Sequence, residues 1–340
     1  MIKVGLVGLG FMGRGHFTVY EQLMKEGFPV QLVALCDVDA DKFRGILVKG
    51  NLDVGADAFD FTPYKQYTDI DEMLAREDLD MVDIALPTYL HAEMAIRCLD
   101  AGKHVLCEKP MALTEAGCKG MIEAKRRSGK KLMIAQCLRF WPAYEYLKQT
   151  VENERFGKPV EAYFWRGGGA PRWSYENWLL KEELSGGCIH DQHVHDTDTI
   201  NWLFGKPDAV STLGRNVIPG AGFDAVSTQY YYKDGPVVNA QDDWTLEGGF
   251  PFDMRFRVSF QRGALLLENG ILKVFDHQAG EQTPPLSEEQ GYIREVRYFV
   301  DCILNDKPTK ACTTKSTLNT IRIALAERQS AARGGKRVKL

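Results

Sequence analysis

Directly after Met1 the chain reads Ile2-Lys-Val-Gly-Leu-Val-Gly-Leu-Gly-Phe-Met-Gly13, an apolar run that leads into the glycine pattern GxGxxG. The apolar run predicts a strand, and a stripe at helical spacing follows the glycines at Phe17, Tyr20, Leu23 and Met24. In this setting Gly8 permits a tight turn, Gly10 lets the backbone approach a pyrophosphate, and Gly13 lets helix and strand pack closely. Because the helix start offers free N–H groups and a positive dipole end, the stretch predicts a dinucleotide site in a Rossmann-type sheet.

An acidic residue stands where the nucleotide ribose is expected. Asp37 directly follows the second apolar run, Val30–Cys36, and its carboxylate can accept hydrogen bonds from ribose hydroxyls. A 2′-phosphate about 4 Å away would be repelled by ~4 kcal/mol per charge at an effective dielectric of ~20. The next residues are Val38 and Asp39 rather than Arg, Lys or Ser. NAD is therefore favoured over NADP, and a glycine-rich turn in an unrelated α/β protein is the weaker alternative.

Two kinds of pattern divide the chain. Up to residue 137, short Val-, Ile- and Leu-rich runs alternate with helical segments, which predicts an α/β, doubly wound parallel sheet with strands Ile2–Val7, Val30–Cys36, Met81–Leu86, His104–Cys107 and Leu132–Ala135. From residue 138, a helix-like run at Asp191–Phe204 is followed by β-branched and aromatic runs that turn residues separate. These runs predict an α+β domain with an antiparallel sheet, closed by helices near 288–304 and 315–333. The expected domains are therefore 1–137 and 138–340.

Composition excludes several classes of function. The chain of 340 residues is 44% hydrophobic and 26% charged with a net charge of -4, so nucleic acid is not an expected partner. It contains no run of about 18 apolar residues and does not begin like a signal peptide, so we expect neither a membrane span nor export. The eight cysteines include no CxxC pair, and several lie in apolar runs. This pattern favours a reducing compartment and a cytoplasmic protein.

Two segments carry candidate acid–base chemistry. Glu108-Lys109-Pro110 follows a predicted strand at the edge where open parallel sheets bind ligands, although a lone lysine is more often a solvated surface residue. Asp191 and His195 are four residues apart, so on a helix they would share one face and could form a proton-transfer pair. A helix start favoured by acidic residues is a simpler alternative. A metal site at His190, His193 and His195 is disfavoured because these residues do not share a helical face.

Taken together, these motifs resemble the glucose–fructose oxidoreductase / inositol dehydrogenase / MocA (Gfo/Idh/MocA) family. The resemblance is carried by GLGFMG at the start, ALPTYLH (85–91), EKP (108–110), and GG-x3-D-x3-H-D-x-D (186–198) followed by WLFG. It covers both predicted domains in order. It implies an NAD-binding Rossmann domain followed by a substrate-binding domain with a large open, mostly antiparallel sheet, which family members commonly use to form dimers or tetramers. Members mostly oxidise or reduce hydroxyls of sugars, inositols and related compounds.

The resemblance also implies roles for individual residues. His195 takes the hydroxyl proton as hydride leaves for the nicotinamide, Lys109 hydrogen-bonds the reacting oxygen, and Asp191 orients the substrate; which of Lys109 and His195 is the base stays open. The expected cofactor-binding residues are Gly8, Gly10, Phe11, Met12, Gly13, Asp37, Pro87, Thr88, His91, Glu108 and Lys109. Helix capping by Thr88 and a packed His91 are equally favoured interpretations of that loop.

Substrate contacts are expected from aromatic and arginine side chains that lie where a cleft is expected. Arg139 and Trp141 stand at the expected domain junction, and Arg172 and Trp173 lie in a Gly- and Trp-rich stretch that suits a carbohydrate ring. Packing is the alternative for Trp173 and the favoured interpretation for Trp178. Gln192 and His193 replace the small residues that the family more often carries, which predicts a narrower pocket or a second proton carrier.

Three functions follow from these observations. The leading hypothesis is an NAD-dependent dehydrogenase or reductase that acts on a hydroxyl of a sugar, inositol or glycoside. The second is an enzyme that oxidises a glycoside transiently, cleaves it by elimination and returns the hydride, so that no net redox change occurs. The third is a non-catalytic dinucleotide sensor, which is disfavoured because Lys109, Asp191 and His195 are all present.

Overall fold

The computed structural model describes residues 1–45 and 59–340. Its backbone forms two compact units. The first consists of Met1–Cys137, Trp173–Trp178 and Gly291–Leu318, and the second of Leu138–Arg172, Leu179–Gln290 and Asn319–Leu340.

A parallel sheet forms the centre of the first unit. Its strands within the described residues are β1 (Ile2–Val7), β2 (Val30–Cys36), β3 (Lys65–Tyr67), β4 (Met81–Ile84), β5 (His104–Glu108) and β6 (Leu132–Ala135). They pair in the order β3-β2-β1-β4-β5-β6, and all these pairings are parallel. The helices that alternate with them are α1 (Phe11–Lys25), α2 (Ile70–Arg76), α3 (His91–Asp100) and α4 (Glu115–Ser128).

The apolar strands explain why this sheet lies in the core. All residues of β4 and β6 are buried, which requires cover on both faces. The carboxyl ends of β1, β2, β4 and β5 lie at one edge, where Gly8, Asp37, Ala85 and Lys109 follow the respective strands. This edge therefore gathers the glycine loop, the acidic residue and the lysine that the sequence singles out.

The second unit is built on a nine-stranded sheet. Four helices precede most of it: α5 (Pro142–Glu152), α6 (Glu182–Ser185), α7 (Gly187–Asp191) and α8 (Val194–Phe204). The strands are β7 (Pro159–Gly167), β8 (Ala209–Arg215), β9 (Ala225–Tyr231), β10 (Val237–Asp243), β11 (Asp253–Phe260), β12 (Gly263–Glu268), β13 (Ile271–Asp276), β14 (Gly280–Gln282) and β15 (Val338–Lys339). Their order is β14-β13-β12-β11-β7-β10-β9-β8-β15, and β7 and β10 pair in parallel while the other neighbours are antiparallel.

The predicted fold class is confirmed, and several details differ from the expectation. The short strand β3 escaped prediction because Lys65–Tyr67 is polar and mostly exposed. The expected continuous helix Asp191–Phe204 is interrupted at residues 192 and 193, so Asp191 ends α7 and His195 belongs to α8. The prediction that a helix near 288–304 closes the second domain was wrong, because α9 (Gly291–Leu304) packs against α1 and β1 of the first unit.

The remaining helix, α10 (Thr314–Ala332), is shared between the two units. The compact units therefore differ from a simple division into 1–137 and 138–340 at residues 173–178 and 291–318. The functional domain bounds stay a prediction.

Candidate functional site

The glycine loop has the geometry of a dinucleotide cradle. Gly8 has a φ of +96°, and a Cβ there would lie 2.4 Å from the Ala85 carbonyl oxygen. A Cβ on Gly13 would lie 1.8 Å from the Gly8 carbonyl oxygen, whereas a Cβ on Gly10 would meet nothing within 4 Å. The loop is therefore closed on the sheet side and open at Gly10. Helix α1 begins within it at Phe11, with no side-chain cap and no acidic residue in its first turn, so its N-terminus can receive a pyrophosphate.

Asp37 is buried and held in one orientation. Its Oδ2 accepts a hydrogen bond from the Leu9 N–H at 2.7 Å, and its Oδ1 accepts one from the Asp39 N–H at 3.0 Å. The Lys42 Nζ lies 3.1 and 3.0 Å from the two carboxylate oxygens. The acidic residue is thus fixed beside the glycine loop, as recognition of a ribose diol requires. Together with the open cradle at Gly10, this arrangement fits NAD.

The backbone of Lys109 is tied to a buried network that sequence analysis missed. The Lys109 N–H donates to Oε2 of Glu108 at 3.0 Å, and Oε1 of Glu108 lies 3.0 Å from Nε2 of His16. On the other side of the imidazole, Nδ1 of His16 lies 2.8 Å from Oδ2 of Asp83, which also accepts from the Tyr20 hydroxyl at 2.7 Å. Glu108 is 5% exposed and Asp83 is fully buried, so water cannot replace these partners.

The network contains a fixed positive charge. Both ring nitrogens of His16 face carboxylate oxygens and must donate to them, so the ring is an imidazolium. Burial by itself would lower the pKa of His16, but the charges of Asp83 and Glu108 and the hydrogen bonds to them outweigh it and raise that pKa well above 6.5. Burial also opposes ionisation of Glu108, yet His16 and then Lys109 lower the pKa of that carboxyl. Glu108 is therefore a charged anchor beneath the lysine.

His91 joins two loops at the same edge of the sheet. Its Nδ1 lies 2.7 Å from the Pro110 carbonyl oxygen and its Nε2 lies 2.8 Å from the Leu86 carbonyl oxygen. Burial lowers the pKa of His91 despite these two contacts. The Lys109–Pro110 peptide bond is cis. His91 thus packs as a bridge between the loop after β4 and the loop after β5.

The neighbouring loop residues adopt a short 3-10 turn. Thr88 is buried within the turn Thr88–Leu90, which Pro87 precedes, and α3 begins at His91 without a side-chain cap. Capping of α3 by Thr88 is therefore not the arrangement seen. A contact of Pro87 and Thr88 with the cofactor stays a prediction.

In the second unit, the break between α7 and α8 has a clear origin. The His193 N–H donates to the Cys188 carbonyl at 2.9 Å, and the His195 N–H donates to the Gln192 carbonyl at 3.2 Å. These five- and three-residue spacings replace the regular four-residue spacing of an α-helix. From Ser185 to Asn201 every residue is buried except Asp191 and His195, which are both partly exposed. The turn therefore presents these two side chains while its other residues face the interior.

Gln192 and His193 anchor that turn to the sheet. The Gln192 amide donates to Oδ1 of Asp242 at 2.6 Å. The His193 ring is fully buried, with Nε2 3.3 Å from the Tyr230 hydroxyl and 3.7 Å from Oε1 of Glu327. Burial raises the pKa of Asp242 to about 7, although His193 and Arg166 oppose this shift. Burial by itself would lower the pKa of His193, but the carboxylates of Glu327 and Asp242 outweigh it and raise that pKa. Both side chains therefore point away from the exposed face of the turn.

The other residues expected to contact substrate fall into different surroundings. Arg139 is 3% exposed and forms a bidentate pair with Asp198, with Nε–Oδ2 and Nη2–Oδ1 distances of 2.8 Å. Arg172 forms an exposed ion pair with Glu247 at 3.3 Å. Trp141 precedes α5 and is half-buried. Trp173 belongs to the first unit, where its ring lies against Phe11 of the glycine loop.

The residues that sequence analysis missed are His16, Tyr20, Asp83 and Asp242. A signal existed for the first three, because His16 and Tyr20 are four residues apart on the apolar stripe of α1 and Asp83 is a carboxylate inside an apolar strand. Buried polar groups of this kind require partners. No group of three or more His, Cys, Asp or Glu side chains in residues 1–45 and 59–340 could hold a metal ion.

Comparison with known proteins places this geometry in context. Residues 2–136 match the model of the oxidoreductase family with an NAD-binding Rossmann fold, and residues 144–266 match the GFO/IDH/MocA C-terminal domain. Inositol 2-dehydrogenase of Salmonella typhimurium is 27% identical over 206 residues, which are 60% of this chain and 55% of that protein. The 2,7-anhydro-N-acetylneuraminate hydratase of Mediterraneibacter gnavus is 29% identical over 213 residues, which are 62% of this chain and 53% of that protein.

These two matches span little more than half the length of each of the two relatives. A solved structure of levoglucosan dehydrogenase, in complex with NADH and levoglucosan, superposes with a TM-score of 0.84 at 22% identity and covers 99% of both chains. At that identity the likeness shows the fold. Residues 2–136 therefore form an NAD-binding Rossmann domain, and the chain belongs to the Gfo/Idh/MocA oxidoreductase family.

Proposed function

We propose that the protein is an NAD-dependent oxidoreductase that oxidises or reduces a hydroxyl carbon of a sugar, inositol or glycoside. The observation that carries this proposal is the exposure of the second unit's turn, in which Asp191 and His195 are the partly exposed residues of an otherwise buried run. Lys109 likewise is half-buried between the buried residues Glu108 and Pro110. Polar groups held in this way on a rigid scaffold suit acid–base work on a small substrate.

In the proposed reaction the three residues act on one secondary alcohol. His195 accepts the hydroxyl proton, Lys109 donates a hydrogen bond to the oxygen that becomes a carbonyl, and Asp191 accepts a hydrogen bond from a neighbouring hydroxyl of the substrate. Bound NAD+ supplies the acceptor for the two electrons and the hydrogen of the C–H bond. The products are a ketone, NADH and one proton that His195 returns to water.

The buried hydrogen-bond networks support this proposal because they fix the positions of the candidate catalytic residues. Lys109 follows Glu108, which His16 holds, and the turn that carries Asp191 and His195 is fastened through Gln192. Catalytic groups must be held close to their working geometry, and hydrogen bonds from below provide that restraint. We therefore treat Gln192 and His193 as anchors rather than as substrate contacts.

A substrate panel tests this proposal. Free sugars, inositols and glycosides are incubated with NAD+ and separately with NADP+, while NADH formation and aglycone release are both followed. We expect NADH to form with one class of polyol or sugar and NAD+ to be preferred. If neither signal appears for a protein that binds NAD, the dehydrogenase assignment fails and a dinucleotide sensor becomes the better account.

A second function is supported by relatives that are named as hydratases. The name 2,7-anhydro-N-acetylneuraminate hydratase describes the addition of water to an anhydro sugar. In the corresponding reaction here, NAD+ would take a hydride from the ring carbon two positions from the anomeric carbon, and the resulting ketone would acidify the C–H between them. Loss of that proton would expel the glycosidic oxygen, water would add to the resulting double bond, and the hydride would return from NADH to the ketone. Aglycone release without net NADH formation in the same panel distinguishes this reaction from simple oxidation.

The outer face of the large sheet supports a proposal about assembly. One face of β7 and β10 is buried by the unit itself, whereas the alternate residues, among them Tyr163, Trp165 and Val237, are partly or largely exposed. We infer that this face pairs two or four copies of the chain, because it leaves apolar side chains accessible beside polar ones such as Asn239 and Gln241. Light scattering on the purified protein should give the mass of a dimer or tetramer, and a monomer would contradict the inference.

Two further properties concern the helices and the cysteines. Within the described residues no helix combines the length and apolar character that crossing a membrane requires. All eight cysteines lie in the described residues and are buried, and none of them forms a disulfide bond there. We propose on the basis of these thiols that the protein acts in a reducing compartment such as the cytoplasm.

A further inference from the structure

The six residues Trp173–Trp178, called here the 173–178 segment, belong to the first unit although the residues on both sides belong to the second. Two of its aromatic side chains make defined contacts with the dinucleotide site. The Trp173 ring lies 4.8 Å from the Phe11 ring, centroid to centroid, at an interplanar angle of 52°. The Tyr175 ring centroid lies 4.8 Å from Nζ of Lys42.

These two contacts lie where the pyrophosphate and the adenosine ribose of a dinucleotide are expected. Phe11 is the first residue of α1 and lies inside GxGxxG, where the pyrophosphate binds. Lys42 is paired with Asp37, the residue placed to accept the adenosine ribose hydroxyls. A segment that contacts Phe11 through Trp173 and Lys42 through Tyr175 therefore passes along the binding site from pyrophosphate to ribose.

The segment is built differently from the packed loops of the first unit. Tyr175 is 55% exposed, and Trp173 is half-buried. Glu176 and Asn177 both adopt left-handed backbone conformations, with φ of 49° and 54°. Two consecutive residues other than glycine in that region are unusual, and such conformations gather in segments that clamp ligands. The contact of Trp173 with Phe11 and the burial of Ser174 fix the start of the segment, whereas the Tyr175 side chain is exposed to solvent.

We propose that the 173–178 segment is a cover for the bound dinucleotide, with Trp173 and Tyr175 as cofactor-binding residues, and that its opening limits the release of NAD. Trp173 is thereby assigned to the cofactor rather than to a sugar ring. The proposal rests on the NAD-binding first unit and does not require any particular substrate. A cover of this kind would keep NAD bound through oxidation and re-reduction, as a reaction without net redox change needs.

The test measures release of the cofactor without substrate. Full-length protein loaded with NADH is mixed with excess NAD+, and the loss of bound-NADH fluorescence gives the dissociation rate. We expect Trp173→Ala and Tyr175→Ala to raise this rate about fivefold or more, since losing an aromatic or cation–π contact acts mainly on dissociation. The control Phe250→Ala, which removes an exposed aromatic ring of the second unit, should leave the rate unchanged.

Hydrogen exchange provides a second measurement on the unaltered protein. Adding NADH should slow exchange of the backbone amides of residues 173–178 together with those of the glycine loop at residues 8–13. Protection of the glycine loop with no change at 173–178 would overturn the proposal, as would parent-like dissociation rates in both aromatic variants. Because neither readout involves turnover, these outcomes are separate from failure of the proposed dehydrogenase activity.

Discussion

Replacing His16 with Gln removes the cation that lies between two buried carboxylates. In the parent protein the imidazolium is within 2.8 Å of Asp83 and 3.0 Å of Glu108, and its side chain is only 2% exposed. Breaking a buried ion pair by removing one partner destabilises proteins by about 3–5 kcal/mol. The Gln amide can still donate to one carboxylate, so we expect His16→Gln to destabilise the first unit by about 3 kcal/mol, the lower end of that range.

The pH dependence of this loss has a defined sign. The pKa of His16 in the folded state lies well above 6.5, and the unfolded value is about 6.5. A group whose pKa is raised by folding contributes stability that is fully present below the unfolded pKa and is lost as the pH rises through the folded pKa. The difference between parent and variant should therefore be largest below about pH 6.5 and should shrink towards alkaline pH.

Urea unfolding followed by far-ultraviolet circular dichroism measures both effects at about pH 6 and about pH 9. His277→Gln is the matched control, because His277 is exposed. The double variant His16→Gln/Glu108→Gln should lose less stability than the sum of the single variants, since the two residues are in contact. Equal urea midpoints for parent and His16→Gln, or a difference that does not change with pH, would refute the charged network.

Three further predictions follow from single contacts. Gly13→Ala should abolish NAD binding or unfold the first unit, because its Cβ would lie 1.8 Å from the Gly8 carbonyl oxygen; NADH titration with circular dichroism as a folding control checks this. Asp37→Ser should weaken NAD binding about tenfold and narrow the preference for NAD over NADP, because it removes a charged hydrogen-bond acceptor. Calorimetric titration with both cofactors measures this, and unchanged affinities would contradict the role of Asp37. His190→Gln should make the stability of the protein less sensitive to acid. Burial and then the charge of Arg328 lower the pKa of His190 to about 4. The stability that depends on a neutral His190 is therefore fully present above about pH 6.5 and is lost as the pH falls towards 4. The stability difference between about pH 7 and about pH 4 should shrink by about 3 kcal/mol, and an unchanged difference would show that His190 does not titrate in this way.

The parts of the fold that sequence predicted are those in which neighbouring residues act together. The glycine loop, its strand and its helix are contiguous, so their spacing alone indicates a nucleotide cradle. Asp37 follows the next strand, and the carboxyl ends of neighbouring parallel strands meet at one edge. The antiparallel strands of the second unit were also identifiable, because Asp234-Gly235 and Asn269-Gly270 mark turns between β-branched runs.

The features that escaped prediction depend on contacts through space. His16 and Glu108 are 92 positions apart, and nothing local indicates that they meet. Helix α9 has an apolar face that could cover either unit, so its sequence does not decide its place. The break in the expected helix at residues 192 and 193 arises because Gln192 reaches Asp242 of β10, fifty positions away.

The resemblance carried the assignment of roles, and geometry altered some of them. Lys109, Asp191 and His195 are all at least partly exposed, as residues that contact substrate must be. The Arg139 guanidinium is instead paired with Asp198, and His193 is fully buried. Side-chain type and spacing therefore indicated where polar groups gather, but burial was needed to separate the groups that face solvent from those that support them.

The most direct test of the central claim compares Lys109→Ala and His195→Ala with the parent in single-turnover oxidation of the substrate that the panel identifies. NAD affinity is measured in parallel, with Lys119→Ala and His277→Ala as exposed controls. Loss of acid–base catalysis should slow NADH formation by about a hundredfold or more in both active-site variants while NAD still binds and the controls behave like the parent. Parent-like NADH formation in either Lys109→Ala or His195→Ala would contradict the assigned chemistry.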